Sequence, residues 1–440
     1  MDTLVQVSQF VLSLSLLIVL HELGHFIPAR LFKTRVEKFY LFFDPWFSLV
    51  KKKVGDTVYG IGWLPLGGYV KIAGMVDESM DTDQLKGEPQ PWEFRSKPPW
   101  QRLIIMLGGV TVNVIVAFVI YVGVMAYWGE EFLPTENLRY GISVDDGAWA
   151  MGLRDGDKIL RVNGKEVKNY AEVPLEILLN ENGQVLVERD GERITVPYGD
   201  EDVKALIKSQ GNFLGIRFPY VAAGFTDTSA AQAAGMKEGD SLISFNGHPM
   251  FYFDQYIDSI PAYAGKPVSI GVMRGTDSLE FSFDVPDYGL MGVRYKQPSN
   301  YLETATREYS VIEAVPAALA KSGKVLSDYV RQFKVIFNPR TEAYKEVGGF
   351  DTIRRQFSTE WNWYRFWNFT AFLSIMLAFL NVLPIPALDG GHVVFTLWEM
   401  ISGRPAPQKV LEYAQLVGFI LLLALIVLAN GNDLLRALRP

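Results

Sequence analysis

The sequence predicts a multi-pass α-helical membrane protein with four transmembrane helices. It adds a short β-like loop between the first two helices and two small mainly-β units between the second and third. Three observations carry that prediction. Four stretches are apolar over the roughly 20 residues that a helix needs to cross a bilayer: about Leu4–Phe32, Leu103–Tyr127, Phe366–Leu383 and Leu411–Leu428. Trp100, Tyr127, Trp128, Trp361, Trp363, Tyr364, Trp367, Trp398 and Tyr413 cluster at their ends, as interfacial anchors do. A third signal is a residue pattern that recurs within the long polar region between spans two and three.

Composition narrows the function classes. The 440 residues suffice for a membrane core with one or two soluble domains. A net charge of −7, with no basic arm, argues against a nucleic-acid partner. The chain has no cysteine, which excludes disulfides, thiolate-bound zinc and a thiol nucleophile. The opening MDTLVQ lacks a basic stretch, so the first apolar segment is read as a retained span rather than a cleaved signal.

The first span, within residues 1–32, contains His21-Glu22-Leu23-Gly24-His25. Positions i and i+4 of a helix share a face, so His21 and His25 can grip one metal ion with Glu22 beside them as a general base. Ionisable groups at that depth are costly unless they are used or paired. Residues 33–102 follow, and their stretch Tyr59–Gly74 is short, apolar, glycine-rich and β-like. Gly67, Gly68 and Tyr69 in it are candidates for holding an extended substrate at a sheet edge. In the second span, 103–128, Gly108, Gly109 and Asn113 read as helix packing.

The repeat comes next. Gly152–Gly164 matches Gly235–Gly247, each copy giving a helix end, a glycine turn, a strand and an Asn-Gly turn. A second match pairs Leu214-Gly215-Ile216 with Met291-Gly292-Val293. The two units resemble a tandem pair of PDZ domains, at 129–220 and 221–305. On that resemblance the two matched tripeptides are the peptide-binding loop and strand, and the ligands are extended peptides or C-termini. The alternative is that these units serve as spacers. Residues 306–365 read as amphipathic helices and a connector.

The third span lies in 366–398 and runs into NVLPIPALDGGH, residues 381–392. Pro384 and Pro386 break the helix and place Asp389 at irregular backbone, which is tolerated at membrane depth only when buried or lining a wet cavity. A catalytic zinc keeps three protein ligands and one open position. Asp389 is the candidate third ligand, with a turn cap as the bland alternative. His392 is read as a packing or outer residue, because a fourth ligand would close the open position. Residues 399–440 hold a connector and the fourth span. Arg30, Lys33, Arg35, Lys38, Arg95, Lys97, Arg102, Arg404 and Lys409 place 33–100 and 399–410 in the cytoplasm, with the repeat region outside; Arg436 and Arg439 run against this.

Together, the His21–His25 motif, the tandem PDZ-like insert and the NVLPIPALDGGH stretch resemble the bacterial site-2 protease family of the RseP type, over essentially the whole chain. That resemblance implies one zinc ion on His21, His25 and Asp389, with Glu22 as base and acid. It implies that Asn381 handles substrate, that Tyr59–Gly74 is a membrane-associated β-loop, and that a glycine-to-asparagine pattern like Gly108, Gly109 and Asn113 lies beside the active site. It implies hydrolysis of single-span membrane proteins within the bacterial inner membrane, the active site lying toward the cytoplasm. Substrates would be anti-sigma factors first cut by a site-1 protease, and remnant signal peptides. Two rival readings are a metal-permeation protein using the same cluster and a noncatalytic scaffold binding peptides through its PDZ-like units; the intact Glu22 disfavours the scaffold.

Overall fold

The computed structural model describes residues 2–65, 67–75, 87–180, 182–209 and 213–438. Leu66 of the expected β-loop and Arg439 lie outside the described residues. The chain opens with α1 (Asp2–Leu31), β1 (Val36–Leu41), β2 (Val50–Val54), β3 (Thr57–Ile61), β4 (Tyr69–Ile72) and α2 (Pro99–Trp128). There follow β5 (Glu130–Phe132), β6 (Ile142–Val144), α3 (Asp146–Met151), β7 (Lys158–Val162), α4 (Val173–Leu178), β8 (Gly183–Arg189), β9 (Glu192–Tyr198), α5 (Asp200–Lys208) and β10 (Leu214–Ile216). The next stretch holds β11 (Ala222–Phe225), α6 (Ala230–Ala233), β12 (Ser241–Phe245), β13 (His248–Pro249), α7 (Phe253–Ser259), β14 (Pro267–Arg274), β15 (Asp277–Asp284), β16 (Val293–Tyr295) and β17 (Ala305–Arg307). Helices α8 (Val311–Phe337), α9 (Phe350–Arg355), α10 (Trp363–Val382), α11 (Asp389–Ser402) and α12 (Gln408–Leu438) complete it.

Two compact units emerge: residues 1–130 with 308–334 and 347–440, and residues 131–307 with 335–346. In the first, α1, α2, α10 and α12 are long and apolar enough to cross a membrane, which agrees with the four spans read from sequence. Helix α2 is the hub, packing against α1, α10 and α11. Its crossing with α1 is made at Gly24 and Gly108: a Cβ on either residue would strike the other's backbone carbonyl. Small residues allow this approach where no hydrophobic force drives helices together in lipid. Residues 366–398 form two helices, parted at the prolines that the sequence marks as a break. Helix α10 stops at Val382, a proline-bearing turn carries Ala387 at φ +80°, and α11 starts anew at Asp389. Gln415 of α12 accepts the Ala387 N–H at 3.2 Å, so the break has a buried partner for its freed backbone.

The predicted β-like segment is part of a four-stranded sheet of order β2-β3-β1-β4, with β1 parallel to β3 and antiparallel to β4. Phe39 and Tyr59 pack one face of it onto Phe26 of α1, at ring separations of 5.5 and 6.1 Å.

In the second unit, two apolar cores form. Ile142, Leu153, Ile177, Val185, Leu206 and Phe213 centre the first, and Leu242, Tyr256, Ile270 and Val272 the second. The sequence repeat is a structural one. Asp157 and Asp240 are fully buried, and each receives two hydrogen bonds from an arginine, Arg189 and Arg274, and one from the backbone three residues earlier. Asn163 and Asn246 sit in left-handed backbone at φ 52° and 46°, which asparagine tolerates at tight turns. Val335 and Ala343 pack with Leu179, so 335–346 belongs to this unit rather than to a free connector.

Candidate active site

Helix periodicity brings His21 and His25 to one face of α1, and the proline break returns Asp389 to them as the first residue of α11. His21 Nε2 lies 3.3 Å from His25 Nε2, and Asp389 Oδ2 lies 3.4 and 3.3 Å from the two. Those separations test the site for zinc. In tetrahedral coordination at about 2.0–2.1 Å, two ligand atoms stand about 3.3–3.4 Å apart. All three edges of the triangle match. Asp389 Oδ2 is buried and receives no hydrogen bond, an orphaned acceptor of the kind that a cation satisfies. Among the described residues, these three form the one group of convergent histidine and carboxylate side chains able to hold a metal ion.

Both outer nitrogens have hydrogen-bond partners, and that of His25 takes the form a metal site requires. His25 Nδ1 is 2.8 Å from the Ile105 carbonyl, which fixes the proton on Nδ1 and leaves the Nε2 lone pair facing inward. His21 Nδ1 is 3.1 Å from the side-chain amide of Asn113, and His21 also hydrogen-bonds the backbone of Gly109. Asn113 is fully buried. Reading the sequence as helix packing therefore holds for Gly108 but misses Asn113, which supports a histidine. The signal was its i+4 spacing from Gly109, whose Cα lies under both imidazoles with no room for a Cβ.

Glu22 faces β4. The Val70 N–H donates to its carboxylate, and Gly68 lies against it, a Cβ there coming 3.6 Å from Glu22 Cγ and 2.7 Å from the Tyr40 carbonyl. Strand β4 pairs with β1 on one side only, so its open edge borders the carboxylate. Gly67 packs on the Phe43 ring. Tyr69 turns the other way, stacking on Tyr40 and donating to Asp44 at 2.7 Å. It anchors the strand rather than facing the three donors. Asn381 lies half-buried in the last turn of α10. His392 lines a cavity of about 290 Å³ together with Arg102, Phe395 and Gln415, and is not one of the three convergent donors.

The two matched tripeptides of the second unit differ. Leu214-Gly215-Ile216 is strand β10, paired only with β6. Phe213 and Arg217 bond Asp145 and Gly141 on the β6 side, so by alternation Leu214 and Ile216 direct their backbone groups to the open edge. In the other copy only Val293 is in strand. The Met291 carbonyl accepts from the Ser229 hydroxyl at 3.0 Å, that of Gly292 from the Thr226 N–H at 2.9 Å, and that of Val293 from Tyr220 at 3.3 Å.

Four membrane-length helices with a two-histidine, one-carboxylate triangle and an adjacent glutamate define a membrane-embedded metallohydrolase as a class. Comparison with known proteins gives the particular one. The model of peptidase family M50 matches residues 9–425, and the chain belongs to that family. A relative in Neisseria meningitidis, whose name marks it as a zinc metalloprotease, is 28% identical, with 98% of each chain covered. Protease RseP of Yersinia pestis is 27% identical over 99% of this chain and 100% of its own. The regulator of sigma-E protease RseP of Escherichia coli is 26% identical, with 98% of each covered. The chain is thus a zinc metalloendopeptidase, and the permeation and scaffold readings fall away.

Proposed function

We propose that this chain is a site-2 protease that cuts single-span membrane proteins within or near their transmembrane segments, with one zinc held by His21, His25 and Asp389. The observation that carries the reading is the triangle of ligand atoms at 3.3–3.4 Å with Glu22 alongside. Zinc, when bound, supplies Lewis-acid polarisation of the scissile carbonyl and makes water acidic enough to ionise near neutral pH. A carboxylate oxygen of Glu22 takes the proton from the attacking water and returns it to the leaving amine. The Val70 N–H keeps that carboxylate oriented.

A helical substrate must unwind before cleavage, because its carbonyls are engaged in internal hydrogen bonds. The open edge leading into β4, at Gly67 and Gly68, offers replacement bonds beside Glu22. Asn381 is assigned to substrate contact near the break before Asp389. Positive-inside bias puts the β1–β4 sheet in the cytoplasm and the second unit outside an inner membrane. There its two PDZ-like lobes admit substrates already shortened by a first protease. The relative named for sigma-E regulation suggests an anti-sigma factor as one substrate; remnant signal peptides are another.

The test compares membrane proteomes of cells carrying the native chain and Glu22→Gln. Single-span fragments should accumulate in the variant, with zinc content unchanged in the purified protein. Equal fragment profiles would refute the assignment. Deleting both lobes should allow an intact substrate to be cut, and persisting resistance counts against the filter.

A further inference from the structure

We propose that the face of the four-stranded sheet turned away from α1 binds the headgroups of anionic phospholipids. Cross-strand register places Lys53, Val58, Lys38 and Lys71 in one row across β2, β3, β1 and β4. The next row on that face is Lys51, Gly60, Tyr40 and Tyr69. Phe39 and Tyr59, which pack on α1, alternate with these residues and belong to the opposite face. Four lysines therefore share one face of the sheet with a pair of stacked tyrosines, Tyr40 buried and Tyr69 half-buried with its hydroxyl on Asp44, ring centroids 5.2 Å apart, and the Lys38 ammonium lies 5.8 Å from both rings.

The arrangement is costly as it stands. Lys38 and Lys71 lie directly opposite on neighbouring strands, where like charges destabilise a sheet. Glu37, 3.7 Å from Lys71, supplies one counter-charge. Among the described residues, no acidic side chain pairs with Lys38, Lys51 or Lys53. Lysine on an edge strand can serve simply to block strand addition. That accounts for β2, but not for Lys38, because β1 is flanked on both sides.

Position selects the occupant. The sheet lies alongside Ile18, Glu22 and Phe26, within a helix of membrane-spanning length, rather than beyond its end. The loop entering β2 exposes Trp46 by 92%, with Phe47, Leu49 and Val50 also more than half exposed. Trp46 and Phe47 stack on Trp63. Aromatic side chains beside lysines are the composition of an interfacial anchor. A phosphate-bearing lipid is thus the anion next to this face, and each lysine near such a surface strengthens association about fivefold.

The experiment purifies the full-length chain in detergent containing equal phosphatidylcholine and phosphatidylglycerol, and measures the co-purifying lipid by mass spectrometry. The native chain should retain phosphatidylglycerol preferentially, and added salt should weaken the preference. Lys38→Gln/Lys51→Gln/Lys53→Gln should lower it by about fivefold per lysine. The matching Lys→Arg chain should keep it, and with the salt series decides the matter if the glutamine chain does not fold. No preference in the native chain, or equal retention by the folded glutamine chain, overturns the proposal. So does a hexaglutamate peptide that binds the same lysines in a chain indifferent to phosphatidylglycerol, since the face would then belong to an acidic peptide.

Discussion

Buried carboxylates occur in both units, and their surroundings separate scaffold from chemistry. In the β-rich unit, Asp157 and Asp240 are fully buried, but an arginine and a backbone N–H occupy each one. In the membrane unit, Asp389 is left with an orphaned oxygen aimed at two histidines whose other nitrogens are already engaged. Both arrangements carry the cost of burying charge. Only the second leaves capacity for an added cation. Satisfaction of hydrogen bonds, rather than burial, tells the two apart.

The sharpest way to break this contrast is at Glu22. Glu22→Gln should lower peptide hydrolysis by about 10²- to 10⁴-fold while zinc, measured by metal analysis, stays bound. Loss of zinc together with activity would make Glu22 a structural group like Asp157. Next come the aspartates. Asp389→Ala should abolish zinc retention yet leave the β-rich unit's thermal transition in place. Asp157→Ala should do the reverse, destabilising its lobe by about 1–3 kcal/mol, since Arg189 and the Arg154 N–H lose their shared acceptor. Asn113→Leu tests the support of His21, with an expected 10- to 100-fold loss in zinc affinity.

A smaller effect is the acid response of the second lobe. Burial alone would raise the Asp240 carboxyl, but Arg274 and the Lys237 N–H outweigh it and hold its pKa below the ordinary carboxylate value. The stability it contributes is therefore complete above the unfolded pKa and is lost as pH falls through the lower folded one. Asp240→Asn should flatten that acid limb in a denaturation series. An unchanged limb would remove Asp240 from the account. The least perturbing change concerns the lobes themselves. If the first lobe captures an extended peptide at the open edge of β10, Ile216→Pro, which removes an outward N–H there, should abolish that binding in fluorescence anisotropy, and no binding to the native lobe would leave the lobes as spacers. The second lobe differs in its carbonyls, those of Met291 and Val293 being already bonded by Ser229 and Tyr220, so the same peptide should bind it more weakly than the first.

Much of this was legible in the sequence. The spans follow from apolar length, the histidine pair from helix period, and the repeat from its turn residues. Asp389 could be singled out because prolines and glycines beside a carboxylate have few uses in lipid. What escaped was set by tertiary approach. Asn113 read locally as packing, and only the family resemblance put it beside the active site, because nothing local says that His21 lies across from it. The break after the third span was legible in Pro384 and Pro386, but the left-handed turn at Ala387 that returns α11 toward the histidines was not. The two tripeptides look alike, yet their backbones differ because the capping serine and threonine come from a segment more than sixty residues earlier.

The Gly24–Gly108 crossing has a mechanical corollary. Backbone resting on backbone leaves no compliant side chain to stretch, so α1 and α2 must lean as one body when the surrounding bilayer thins or thickens. Both histidines and Asn113 ride on that pair. Membrane thickness can then tilt the two histidines without changing their spacing from Asn113.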